Sequence, residues 1–153
     1  MSISLKDVQD VYNGPEGDLW ELVMGEQIHI GGFSSSLELA EKAGIGKGMK
    51  GVDLCCCSGA GMRFLVRFRN VDSMQGVDAA ETVVKRGMQR CKDEGLSGRI
   101  SFTQAPVTDS VLAAGEADFV WGEDAWCYVE DKDGLIREAA RLVRPGGIIA
   151  FTD

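Results

Sequence analysis

The stretch Val52-Asp53-Leu54-Cys55-Cys56-Cys57-Ser58-Gly59-Ala60-Gly61 decides how this chain is read. It starts as a short apolar segment, turns through small residues and enters the helical pattern of Gly61–Arg69. That is a strand feeding a helix through a tight turn. Small residues let the backbone approach a ligand, and a helix opening near Gly61 presents free N–H groups. Asp53 supplies a carboxylate suited to the ammonium of an amino-acid moiety, reached through water. Nineteen residues after Gly59, a second apolar segment ends at Asp78. A carboxylate at that spacing can accept hydrogen bonds from both hydroxyls of a ribose. Its other reading is a cap on the helix that starts at Ala80, and the spacing favours the ribose.

Working outward, apolar runs alternate with helical patterns, the signature of βαβ units and a mostly parallel sheet. Strands are expected at Gly51–Cys57, Ser73–Val77, Arg99–Thr103, Asp118–Gly122 and Ile148–Thr152. Helices are expected at Gly61–Arg69, Ala80–Glu94 and Asp131–Val143. The second helix carries Val83, Val84, Met88 and Cys91 on one stripe. The third carries Leu135, Ile136, Ala139, Leu142 and Val143, and Arg144-Pro145-Gly146-Gly147 stops it. Asp109–Ala117 reads as a short helix or a loop. Before the first strand come a Tyr12-Asn13-Gly14-Pro15 turn, an apolar stripe of Leu19, Trp20, Leu22 and Val23, and a helix from Ser35 to Ala43. These observations divide the chain into a helical cover, residues 1–48, and an α/β core, residues 49–153.

With 153 residues, 44% of them hydrophobic and 26% charged, the chain has the size and composition of one α/β domain. A net charge of −8 argues against nucleic acid or an anionic membrane as partner. The opening MSISLKDVQD lacks the regions of a secretory signal, and no apolar run approaches the roughly 18 residues needed to span a bilayer. Five cysteines, three of them consecutive, do not make a disulfide framework, and a reducing cytoplasm fits them. Metal binding by Cys55-Cys56-Cys57 would need convergent geometry, and no C-x-x-C partner is present, so structural cysteines and no metal are expected. Arg63, Arg67 and Arg69 read as a solvated helix face. The chain stops at Asp153, on the tip of the fifth expected strand, which suggests a fragment whose last strand forms an open edge available for pairing with another copy.

The ordered motifs resemble those of the class I S-adenosylmethionine-dependent methyltransferases. Asp53 through Gly61 is similar to D-x-G-x-G-x-G, and Gly76-Val77-Asp78 resembles the motif of the second strand. Trp121-Gly122-Glu123-Asp124-Ala125-Trp126 resembles the motif after the fourth strand, and Arg144-Pro145-Gly146-Gly147 with Phe151-Thr152-Asp153 resembles the approach to the fifth. Tyr12, followed thirteen residues later by Gly25-Glu26-Gln27-Ile28-His29-Ile30-Gly31-Gly32, resembles the cover segment of the sarcosine/dimethylglycine and phosphoethanolamine N-methyltransferases.

The resemblance implies a Rossmann-like doubly wound sheet, order 3-2-1-4-5, binding S-adenosylmethionine and releasing S-adenosylhomocysteine. Its methyl acceptor would be a small amine; transfer to oxygen or carbon of another metabolite, or cofactor binding without turnover, stays open. A nicotinamide dehydrogenase is disfavoured, because only Gly59 and Gly61 remain of G-x-G-x-x-G and the Tyr12 to Gly25 spacing would go unexplained. The implied cofactor-binding set is Tyr12, His29, Ile30, Asp53, Cys55, Cys57, Gly59, Asp78, Ala79, Pro106, Val107 and Glu123. Tyr12, Asp124 and Tyr128 are the implied catalytic residues, each equally readable as a packed tyrosine or a loop carboxylate. His29 reads as a cofactor contact or a packing residue in preference to a base. The chain departs from the family where Cys55 and Cys57 replace glycine, Pro106 replaces an acid and Tyr128 replaces a histidine. The first two departures are expected to weaken cofactor binding.

Overall fold

The structure, a computed structural model, describes residues 5–24 and 29–153. In chain order it contains α1 (Leu5–Asn13), α2 (Pro15–Met24), α3 (Gly32–Lys42), β1 (Lys50–Leu54), α4 (Ala60–Phe68), β2 (Ser73–Asp78), α5 (Glu81–Asp93), β3 (Ile100–Gln104), β4 (Ala117–Glu123), a 3-10 turn at Trp126–Tyr128, α6 (Lys132–Leu142) and β5 (Val143–Thr152). The strands form one parallel sheet in the order β3-β2-β1-β4-β5. This is the Rossmann-like doubly wound topology, and its order reverses between β1 and β4. Among the described residues no helix is long and apolar enough to cross a membrane.

Alternation along the strands builds a core on each face. Phe119 and Trp121 of β4 join Met74, Phe64, Leu65 and Ala40 on one side. Val120 joins Val52, Leu54, Val77, Leu135, Ala139 and Leu142 on the other. Burial on both faces is why these strands read as nearly continuous apolar runs.

Several expected boundaries and faces differ. β1 ends at Leu54, because Cys55 and Cys57 turn into the left-handed region at φ 68° and 47°. β5 begins at Val143, five residues early, with Arg144–Gly147 bulged out between the pairings Ala117 to Val143 and Phe119 to Ile148. Asp109–Glu116 forms loop. On α5 the expected Met88 is exposed and Gly87 is buried instead. A Cβ on Gly87 would lie 2.6 Å from the Phe102 ring and 2.9 Å from the Ser58 carbonyl, so a bare backbone is what lets α5 approach β3. Ile136 likewise faces out of α6.

Arg63 is no part of a solvated face: it is 2% exposed, donates to the Ser58 carbonyl at 2.8 Å and lies 3.4 Å from Glu94. A guanidinium can be buried only where its N–H groups find acceptors, which periodicity does not reveal. Leu19, Leu22 and Val23 of the expected α2 stripe are exposed. α2 is instead attached to α5 by its acids, Asp18 and Glu21 pairing with Arg86 and Glu21 also with Arg90. Asn13 at the end of α1 accepts from the Thr82 N–H at 3.3 Å.

Candidate active site at the carboxyl ends of the strands

The β1–α4 turn is built on β2. The N–H groups of Cys55 and Cys56 both donate to the Val77 carbonyl, at 2.9 and 3.1 Å. The next amide, Cys57 N–H, donates to Asp78 Oδ2 at 2.9 Å, while Ala80 N–H donates to Oδ1 at 2.9 Å. Asp78 therefore braces the turn against the start of α5. Its hold on the Ala80 N–H at the N-cap of α5 is compatible with the helix-capping reading as well as with a ligand-facing one. Burial raises its carboxyl pKa above the usual range, opposed by the Ala80, Cys57 and Ala79 amides. A carboxylate offers about four acceptor sites, so these amides leave it capacity for a further donor. Ala105 N–H donates to the Asp78 backbone carbonyl at 3.1 Å, so the chain enters exposed Pro106 and half-buried Val107 from beside the end of β2.

At the reversal point lies an acid pair, Asp53 on β1 and Glu123 on β4. Asp53 is fully buried, and its carboxyl is pushed well above the ordinary range by that burial and then by Glu123 and Asp78. Glu123 is raised by burial too, with His29 and Ser36 working the other way. A Cβ on Gly61 would fall 2.7 Å from Glu123 Oε2 and 3.6 Å from Asp53 Oδ2, so this glycine keeps the start of α4 open to both acids. His29, Asp53, Cys55, Cys57 and Glu123, together with Cys56, Ser58, Ala60 and Gly61, enclose a cavity of about 50 Å³. Tyr12, Ile30, Gly59, Asp78, Ala79, Pro106, Val107, Asp124 and Tyr128 of the expected set do not line it.

Two consecutive acids at the tip of β4 grip the segment above. His29 Nε2 is 3.3 Å from Glu123 Oε1, and Ile30 N–H donates to Asp124 Oδ2 at 2.9 Å. Asp124 is itself left-handed, at φ 47°, with its N–H donated to the Thr152 carbonyl at 3.0 Å. The Gly25-Glu26-Gln27-Ile28 part of the cover motif lies outside the described residues. Tyr12 is half-buried, and its hydroxyl is pushed up to about 12 by burial, with Cys57, Tyr128, Asp78 and Cys127 adding to it. It is a neutral phenol near pH 7, able to donate or accept a hydrogen bond but not to act as phenolate. Tyr128 is exposed on the 3-10 turn, which Lys132 Nζ holds by donating to the carbonyls of Trp126, Cys127 and Val129 at 2.6 to 2.8 Å.

All five cysteines are free. Burial, followed by the Asp78 charge, pushes Cys57 up to about 12 and holds Cys55 and Cys56 well above the ordinary thiol range. Neutral thiols are poor ligands and nucleophiles. Among the described residues no group of three His, Cys, Asp or Glu side chains converges as a metal site. The turn keeps the backbone shape of a glycine loop, with Cys55, Cys57 and Gly59 (φ 78°) all left-handed. The left-handed region costs a non-glycine residue about 1–2 kcal/mol, against about 0.5–1 kcal/mol of chain entropy that glycine loses. The double substitution Cys55→Gly/Cys57→Gly should therefore preserve the fold and gain about 1–2 kcal/mol in urea unfolding. It should also tighten ligand binding; a destabilised variant, or one that loses a bound metal, would mean the thiols have a role of their own.

A wider depression of about 290 Å³ lies among Lys50, Ser73, Arg99 and Glu116 at the amino ends of the strands. Doubly wound sheets bind ligands at the carboxyl ends, where the acids and the turn converge, and the candidate site is placed there.

The methyltransferase domain family matches residues 52–151, from the start of this turn to the end of β5. The chain belongs to that family. It is 24% identical over 165 residues to the sarcosine/dimethylglycine N-methyltransferase of Halorhodospira halochloris, covering 98% of this chain and 59% of that protein. It is 26% identical over 142 residues to the sterol 24-C-methyltransferase of Aspergillus fumigatus, covering 86% of this chain and 37% of that one. A solved structure of Haemonchus contortus phosphoethanolamine N-methyltransferase 2, in complex with phosphomonomethylethanolamine and S-adenosylhomocysteine, superposes with a TM-score of 0.85 at 21% identity, over 97% of this chain and 35% of that one. This methyltransferase-family chain thus spans 35 to 59% of the length of these relatives. Ser36 and Arg90 hold the site from outside, and Ser58 stands in its wall; the sequence marks none of the three as a site residue. Arg90 reaches the Ser58 hydroxyl at 3.4 Å, and no local signal marks either partner.

Proposed function

We propose that this chain binds S-adenosylmethionine at the carboxyl ends of β1, β2 and β4 and serves methyl transfer to a small amine. The carrying observation is Asp78, whose carboxylate braces the turn at Cys57 and Ala80 at the end of β2 and keeps acceptor capacity for a ribose hydroxyl. Asp53 and Glu123, buried side by side, suit the ammonium of the methionine moiety. His29 and Ile30 cover it, and Pro106 and Val107 stand where the adenine would lie. Residues 1–48 act as the cover and 49–153 as the core. When bound, S-adenosylmethionine supplies an electrophilic methyl group on a sulfonium. The protein's part is to align the acceptor and exclude water, since the displacement is in line. Tyr12, Asp124 and Tyr128 would orient the amine and help keep it neutral.

The amine is supported by the cover-segment resemblance and the H. halochloris relative, while the sterol methyltransferase relative supports carbon as the alternative acceptor atom. Cysteine side chains in a cavity of about 50 Å³ favour a further alternative, binding without turnover. Five free thiols fit a reducing cytoplasm. β5, at the sheet edge with Phe151 exposed, is the strand we assign to self-association.

Calorimetry should give one weak site for S-adenosylhomocysteine and none for NAD, and light scattering on the same samples should report a dimer or larger species. Binding of NAD with no response to S-adenosylhomocysteine would overturn the cofactor. Methylation of a sterol or phenol, with none of glycine, sarcosine, dimethylglycine or phosphoethanolamine, would move the acceptor away from nitrogen.

A further inference from the structure

We propose that Ser36 is a positioning residue that fastens the His29–Ile30 segment over the site and thereby sets how fast a nucleotide enters and leaves. The reading of the cavity as a nucleotide site is the one given above.

Ser36 lies in the second turn of α3 and is fully buried, an unusual place for a serine on a short helix. Its Oγ is 2.6 Å from Glu123 Oε1, 3.1 Å from His29 Nε2 and 3.4 Å from the Gly32 carbonyl. A hydroxyl has one proton to give, and the short contact to a carboxylate claims it. Its lone pair then faces the imidazole, whose Nε2 also lies 3.3 Å from the same Glu123 oxygen. Three elements thus meet in one triangle: the covering segment, α3 and the tip of β4. The His29 and Glu123 side chains are 8% and 7% exposed, so little water competes for these bonds.

The triangle forms the part of the cavity wall best placed to move. The cavity of about 50 Å³ has Asp53, Glu123 and the cysteine turn in its wall, and movement of the covering segment would widen access to them. Asp53 belongs to the sheet, and the cysteine turn is tied to Val77 and Asp78. The covering segment, by contrast, joins α3 through Gly31 and Gly32, both left-handed at φ 85° and 50°, and among the described residues its backbone meets the residue after β4 through Ile30 N–H on Asp124. Two consecutive glycines are suited to absorb a hinge rotation. Ser36 braces the direct His29–Glu123 contact across that hinge by touching both partners.

The test is Ser36→Ala in the whole chain. Hydrogen exchange in the ligand-free protein should be about tenfold faster or more at Ile30 N–H, the scale of one lost charge-assisted hydrogen bond. Stopped-flow mixing with S-adenosylhomocysteine should show association and dissociation both faster. Ser36→Thr, which keeps the hydroxyl, should restore the slow rates. A purely structural serine would lower the melting temperature and leave these rates alone. If Ser36→Ala does not fold, Ser36→Cys, a weak donor of similar size, should give intermediate rates. A folded variant with Ile30 exchange and nucleotide rates within twofold of the parent overturns the latch. Because exchange is read without ligand, a parent chain that fails to bind S-adenosylhomocysteine would overturn the nucleotide reading separately.

Discussion

Asp78→Ala is expected to weaken S-adenosylhomocysteine binding by about 1.5–3 kcal/mol or somewhat more, the range for hydrogen bonds to a charged group. Two effects act together. The substitution removes the acceptor for the ribose hydroxyls, and it frees the Cys57 and Ala80 amides, each held at 2.9 Å, so the turn loses its brace to α5. The cost to stability should be smaller than the cost to binding. Burial already holds the Asp78 carboxyl pKa above the ordinary range, so removing it also relieves a desolvation penalty. Calorimetry on a variant with a normal melting transition makes the comparison. An unchanged affinity would leave Asp78 as a brace for the turn and nothing more.

The largest stability effect is expected at the far side of α6, from Glu138→Gln. The Glu138 carboxylate accepts from the Ser110 N–H at 2.9 Å, from the Ser110 hydroxyl, and from Arg141 Nε and Nη2 at 2.7 and 2.6 Å. Arg141 in turn donates to the Leu112 carbonyl at 2.8 Å, so the cluster ties the whole 105–116 loop to the helix. Glutamine keeps the shape but loses the charge and an acceptor, and a loss of about 2–3 kcal/mol in urea unfolding at neutral pH is expected.

The pH dependence follows from the same contacts. Arg141 and the Ser110 groups pull the Glu138 pKa from 4.5 down to about 2. A carboxyl with a lower pKa in the folded chain than in the unfolded one stabilises fully above pH 4.5, and its contribution disappears as the pH falls toward 2. The parent should therefore lose more stability across that window than Glu138→Gln. Equal slopes would show that the cluster does not hold its charge in the folded state. Asp53, Asp78 and Glu123 act in the opposite sense: their pKa values are raised on folding, so each costs stability as the pH rises past its unfolded value. The acids that serve the site and those that staple the fold thus differ in sign, and the pH profile separates them.

What local sequence determines here is the series of elements and the chemistry at their ends. Strands and helices were legible because each buries a face whose period is written into consecutive residues, and the positions of Asp53 and Asp78 follow once the strand ends are known. The β1–α4 turn was legible as a ligand loop for the same reason. Boundaries were less so where backbone conformation departs from residue preference. Nothing in the identity of Cys55 or Cys57 announces a left-handed φ; that shape comes from Val77 and Asp78 capturing their amides from the neighbouring strand.

Only the tertiary structure decided which polar groups are buried and with whom. Arg63 reads as one of three helix-face arginines until the Ser58 carbonyl lies 2.8 Å away, and Ser36 reads as an ordinary helix serine until Glu123, 87 positions later, comes within 2.6 Å. The same holds for Met88, displaced from its stripe because the Phe102 ring fits only over Gly87. A hydrophobic period is a property of neighbours in the chain, whereas the burial of a polar group depends on a partner that topology brings from elsewhere.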